Sequence, residues 1–179
     1  LSLELLNVEL ASDWHSDETL AWAATVALDL GQEAGEEFSE IRLTDPLPES
    51  LGRKQAALEK ARSRFEQAVT LGNDEQQARA MFHNAELSRQ LARDLMESER
   101  PDGLNDLEMA QYDMLLEEEA YPFEEQAIRM HARNHERVSE EGFNEWVGRS
   151  LDALSELFPG RYQREPRWMG WKQEGNDGV

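Results

Sequence analysis

His131 and His135 stand four residues apart in a stretch of helical periodicity, so both imidazoles project from one face, as a two-ligand metal site on a helix requires. Glu124, two turns earlier, falls near the same face and supplies an oxygen donor. Between the histidines lie Ala132, Arg133 and Asn134, so the glutamate beside the first histidine of a zinc-protease helix is missing. No Glu-x-x-His occurs for a carboxylate-bridged di-iron bundle. A metal-binding helical bundle using His131, His135 and Glu124 is the alternative reading. The expectation is no metal and no cofactor, with the two histidines flanking a core or facing solvent.

The second cluster is acidic. From Glu97 to Glu125 the chain carries eleven carboxylates and one basic residue, Arg100. Glu117, Glu118 and Glu119 point to different sides of one helix, so they form no catalytic pair on their own, and nothing in the pattern places one in an apolar pocket. They read as a solvated face, or as a docking ridge for a basic or extended peptide. A third cluster sets Trp168, Met169 and Trp171 among Arg164, Arg167 and Lys172, aromatic and basic chemistry typical of interface anchors, or of a stretch that folds back over the last hairpin. There is no Gly-x-Ser-x-Gly, no glycine-rich phosphate loop and no cysteine, so thiol catalysis, disulfides and thiolate metal sites are excluded, and no enzyme is expected.

These clusters require helices to position them. Hydrophobic residues make up 39% and charged residues 31% of the 179-residue chain, with abundant Ala, Glu, Leu, Gln and Arg, a composition that favours helix and is enough for one core. The net charge of −20 excludes nucleic acid and disfavours anionic membrane surfaces, and no apolar run is long enough to insert in a bilayer. The chain starts on Leu1 without a basic leader or cleavage signal, so it reads as a piece of a longer protein.

Along the chain, Leu3, Leu6 and Leu10 suggest a short opening helix, and Ser16 caps the next, with Asp17 and Glu18 at its positive end. Thr44 to Ser50 carries two prolines and reads as a loop. Leu51 to Leu71 is a helix burying Leu58, Ala61, Phe65, Ala68 and Val69, with a basic outer side of Arg53, Lys54, Lys60, Arg62 and Arg64, and with Gly72 at its stop. Asn73 with Gln76, and Asn105 with Glu108, have the spacing of capping boxes. Met109, Tyr112, Leu115, Leu116 and Ala120 continue the core. Pro122 is expected to open a fresh helix that Gly142 ends, and Trp146 to Phe158 forms the last one before Pro159-Gly160.

The small-aromatic-small triplet Ala61, Phe65 and Ala68, the spacing from Gly142 to Pro159, and the order GNDEQQARAMFHNAEL, ERPDGL, YDMLLEEEAYPFEEQAI and EGFNEWVGRSLDALSELFPGRY resemble the tetratricopeptide-repeat (TPR) region of large bacterial cell-envelope proteins, over roughly Leu51 to Arg164. The departures are His83, Asn134 and His135, where small or apolar residues are usual. The resemblance implies an all-α fold, an α-α superhelix of antiparallel hairpins in a right-handed solenoid, over a single domain at 1–165 with a tail at 166–179. It implies a non-catalytic scaffold on the periplasmic or envelope side, beside a proton-driven motor, gliding or pilus system. Outside that resemblance the default is cytoplasmic. Its protein-binding residues would be Arg79, His83, Glu86, Gln90, Tyr112 and His131 in a groove, with Glu117, Glu118, Trp168 and Trp171 as further contacts. A purely structural spacer is the remaining alternative.

Overall fold

The computed structural model describes residues 16–138 and 142–162, together with Glu4 and Val8. Among them the regular elements are all helical: α1 (Asp17–Glu40), α2 (Leu47–Leu71), α3 (Asp74–Met96), α4 (Asp106–Glu136), α5 (Glu145–Leu157) and a single turn, α6 (Pro159–Tyr162). The expected opening helix lies almost wholly outside the described residues, as do Trp168, Trp171 and the rest of the tail.

Local chemistry sets the helix starts. Ser16 and Thr19, Asn73 and Gln76, and Asn105 and Glu108 form reciprocal capping boxes, and the Asn144 side chain accepts from the backbone N–H groups of Trp146 and Val147. α2 begins four residues before the expected Leu51. Pro46 caps it and Pro48 falls in its first turn, where a missing N–H has no helical partner to lose. Gly142 does adopt the left-handed conformation, at φ 86°. Gly72 ends α2 as expected, with φ at −80°. Glycine is needed there for space, because a Cβ would stand 2.7 Å from the Ala68 carbonyl and from the Gln76 Cβ.

The largest departure is at Pro122, which lies inside α4 instead of opening a new helix. Asp106–Glu136 is one continuous 31-residue helix, capped by Asn105 and running through Pro122, so the expected break is absent. Proline removes one bond to the carbonyl of Glu118, and Glu118 is an exposed residue, where losing a helical donor costs least. Helices of 23, 24, 25 and 31 residues are also about twice the length expected for a 34-residue hairpin repeat.

Short turns make successive helices antiparallel, and each packs on the next. In addition α1 meets α3 and α3 meets α5, while α2 and α4 approach one another far less. Thus α1, α3 and α5 form one layer and α2 and α4 the other. The main core joins Ala23, Ala27, Leu28 and Phe38 of α1, Leu58, Ala61 and Phe65 of α2, Leu87, Leu91 and Leu95 of α3, and Ala120 of α4. The alanines let α1 lie close to its neighbours, and Gly31 is required, since a Cβ there would come within 2.7 Å of the Phe65 ring. Leu115, expected in the core, is 57% exposed, whereas Leu116 and Ala120 are buried.

Lys54 is not on a basic outer side. It is 1% exposed, occupying a core position in the series Ser50, Lys54, Leu58, Ala61 and Phe65. Its Nζ donates to the carbonyls of Phe38 (3.0 Å) and Ile41 (2.6 Å), lies 2.6 Å from Asp94 Oδ2, and sits 4.3 Å from the Phe38 ring centre. One ammonium therefore terminates α1, ties it to α2 and pairs with α3.

Candidate functional site

α3 is the spine of the candidate site. Arg79, His83, Glu86 and Gln90 follow steps of four, three and four, so they share one face, and α3 is the middle helix of the α1–α3–α5 layer. Two polar clasps join this face to α1. Arg79 donates to Gln32 Oε1 at 2.9 Å, and Ser39 Oγ donates to Gln90 Oε1 at 3.1 Å. Between the clasps runs a groove of about 240 Å³, lined among others by Gly35, Glu36, His83, Glu86 and Leu87.

The His83 ring is stacked on Phe65 (centroids 5.5 Å apart) and touches Phe82 and Trp146. Burial, then the positive charges of Arg79 and Arg149, push its pKa down from 6.5 to about 4, against the opposing pull of Glu86. His83 is therefore neutral at pH 7. Trp146 in turn carries the guanidinium groups of Arg149 and Arg79 at 4.6 and 5.4 Å from its ring. Arg149 is also ion-paired with Glu145 at 2.6 Å, so the charge it brings to Trp146 is largely compensated.

Behind Glu86 lies a buried polar joint between α3, α4 and α5. His131, wholly buried, places Nε2 3.0 Å from Glu86 Oε1 and Nδ1 3.3 Å from Ser150 Oγ. Asn134 donates to Ser150 Oγ (2.9 Å) and to the Ala78 carbonyl (3.0 Å). The carboxylate of Glu86 also faces Arg89, which is bonded to Glu156 of α5. Burial works to raise the Glu86 pKa, but the bonds from His131 and the charge of Arg89 bring it below its ordinary value. One consistent assignment has Asn134 donating to Ser150, Ser150 to His131 Nδ1, and His131 Nε2–H to Glu86.

Serine, histidine and carboxylate in hydrogen-bonded order have the composition of a hydrolytic triad. Here Ser150 and His131 are each 0% exposed, so no substrate carbon reaches Oγ in this conformation. The joint locks three helices in register. His131 is accordingly not a groove surface residue, and acts on the groove only by fixing Glu86.

The chain matches no family model, no curated protein and no solved structure.

The remaining predicted residues fall elsewhere. Tyr112 is on the N-terminal half of α4, beneath the Arg100 guanidinium at 6.0 Å, and lines a separate cavity of about 380 Å³ with Pro46, Pro48, Pro101 and Leu116. It does not join the α3 face. Glu117 and Glu118 are exposed on α4. Glu124 is also exposed and lines a different groove from the one His83 faces, and among the described residues no three of His, Asp and Glu gather as a metal set. The metal alternative thus finds no assembled ligand set there. Sequence reasoning missed Gln32 and Ser39, which complete the groove, and Ser150, which completes the joint. Ser150 had a readable signal, because it falls in the buried series Val147, Ser150 and Leu154, where a polar residue needs partners.

Proposed function

We propose that this chain is a non-catalytic helical scaffold that holds an extended protein segment along the α1–α3–α5 face. The observation that supports it is the groove between α1 and α3, which presents Gln32, Glu36, His83, Glu86 and Gln90 as unlike hydrogen-bonding groups around an apolar floor. With Glu36 and Glu86 as its charged lining residues and Arg79 beside one end, it suits a segment that brings hydrogen-bond donors to the carboxylates. Two layers of antiparallel helices, with the α1–α3–α5 layer in closer contact than α2 and α4, are compatible with a curved TPR-like superhelix whose inner layer is the binding face. On this reading the long helices are a variant of that plan. The resemblance to envelope TPR proteins supports, as part of this reading, a partner in a bacterial envelope complex on its periplasmic side. No helix among the described residues is long and apolar enough to cross a membrane.

Photo-crosslinking in the native cell tests this reading. A photoreactive residue at Gln90 should yield a discrete protein adduct that is lost with Glu86→Arg, while one at Glu66 on the exposed side of α2 should not. Equal adducts from both positions, or none from Gln90, would refute the assignment.

A further inference from the structure

α4 is 31 residues long and α5 only 13, so α5 pairs with the C-terminal half of α4 and leaves the N-terminal half short of a partner on that side. That half carries an apolar stripe at heptad spacing, Leu107, Met114 and Tyr121, which are 68%, 61% and 59% exposed, with Leu115 beside it at 57%. The stripe runs roughly 21 Å along the helix, given about 1.5 Å per residue. It ends at a groove of about 560 Å³ lined by Met96, Ala120, Tyr121 and, from the end of α5, Leu157. Contiguous exposed apolar surface of this kind marks a docking site. Its rim is acidic: Glu117, Glu118 and Glu124 flank it, none of them ion-paired among the described residues.

We propose that the occupant is the chain's own stretch beyond Tyr162. Leu157 lines the groove, and Tyr162, five residues on, has its ring 6.4 Å from that of Phe158, the residue next to Leu157. Trp168 follows Tyr162 by six residues, a reach of up to about 20 Å, which is comparable to the stripe's own length and favours its Tyr121 end, the end that Leu157 adjoins. From Arg164 to Lys172 three cations stand against one carboxylate, the complement of the Glu117–Glu124 rim, and Trp168, Met169 and Trp171 supply apolar anchors. A second copy of the chain would set the same acidic rim against itself, on a molecule of net charge −20. A tethered segment also competes at an effective concentration in the millimolar range, about that of a short flexible linker. This proposal is independent of the α1–α3 groove, which lies on the other side of α3.

The absence of cysteine permits a clean test on the full chain. With Gln173→Cys carrying a nitroxide, the methyl signals of Met96 and Met114 should be broadened several-fold more than that of Met81 at the far end of α3. The selectivity should disappear with Trp168→Ala/Trp171→Ala and fall markedly with Glu117→Lys/Glu118→Lys. Helical circular dichroism of each variant verifies that the fold is retained. Equal broadening at Met81, or no broadening at Met96 and Met114, overturns the proposal. So does broadening transferred to an isotope-labelled, nitroxide-free copy in a mixed sample, which would assign the stripe to a second copy.

Discussion

Replacing Lys54 by methionine keeps an unbranched apolar stem in the core and removes only the ammonium. The Ile41 carbonyl then loses its donor and the Phe38 carbonyl keeps only the Ile41 N–H at 3.3 Å, and an acceptor left unpaired in a buried site costs about 1–3 kcal/mol. Breaking a fully buried ion pair costs roughly 3–5 kcal/mol, but the Asp94 side chain is 25% exposed and its carboxylate can rehydrate, so the pair contributes nearer about 1 kcal/mol. The expected total for Lys54→Met is about 3 kcal/mol, which lowers the urea midpoint by roughly 1.5 M for a slope near 2 kcal/mol/M. Asp94→Asn alone should cost about 1 kcal/mol, and the double variant should cost less than the sum by a similar amount, because the same pair is counted in both. Urea unfolding followed by helical circular dichroism measures all three, with hydrogen exchange at Phe38–Ile41 showing that the end of α1 is the region loosened. A Lys54→Met loss below about 0.5 kcal/mol, the size of an ordinary surface change, would mean that the ammonium reaches water and that α1 is not terminated by it.

Two glycines of α1 should respond in opposite directions. Gly31→Ala drives a methyl into the Phe65 ring and should destabilise by about 1–3 kcal/mol, whereas Gly35→Ala, whose Cβ would meet only Leu87 at 3.7 Å, should stabilise by roughly 0.5–1 kcal/mol; thermal melts decide. His83, held neutral when folded and titrating near 6.5 when unfolded, contributes stability that is complete above pH 6.5 and is lost as pH falls toward about 4. A shift of that size converts to roughly 3 kcal/mol, which partial exposure of the ring halves to about 1.5 kcal/mol. His83→Phe should flatten the slope between pH 6.5 and 4, and an unchanged slope would refute the attribution. Ser150→Ala removes a partner from both His131 and Asn134 and should cost about 1–3 kcal/mol in urea unfolding.

Much of the architecture was legible because the signals were local. Capping boxes at Asn73–Gln76 and Asn105–Glu108 and the left-handed glycine at Gly142 depend on residues within one turn, and they fall where their spacing puts them. Pro122 was misread because a proline's effect depends on whether the orphaned carbonyl faces water, which only the packing of α4 decides. Lys54 was misread for a related reason: its type says surface, while its place in the Ser50–Phe65 series says core, and the series was right. His83 and Asn134, which stood out as departures from a repeat pattern, are where the polar joint and the groove are built. Arg79, His83, Glu86 and Gln90 share a face by helical spacing alone. Gln32 and Ser39 lie about fifty residues from their partners, and no periodicity links them.

Packing that runs almost wholly between sequence neighbours has a kinetic meaning. Short loops close cheaply and most contacts are made nearby along the chain, so folding needs few distant encounters and should be fast. The reverse holds for opening: among the longer described helices α5 packs on α3 and α4, away from α1 and α2, so it can detach while α1 and α2 remain assembled. Loss of that terminal rung exposes Ser150, His131 and Glu86 to solvent together, before the rest of the molecule gives way.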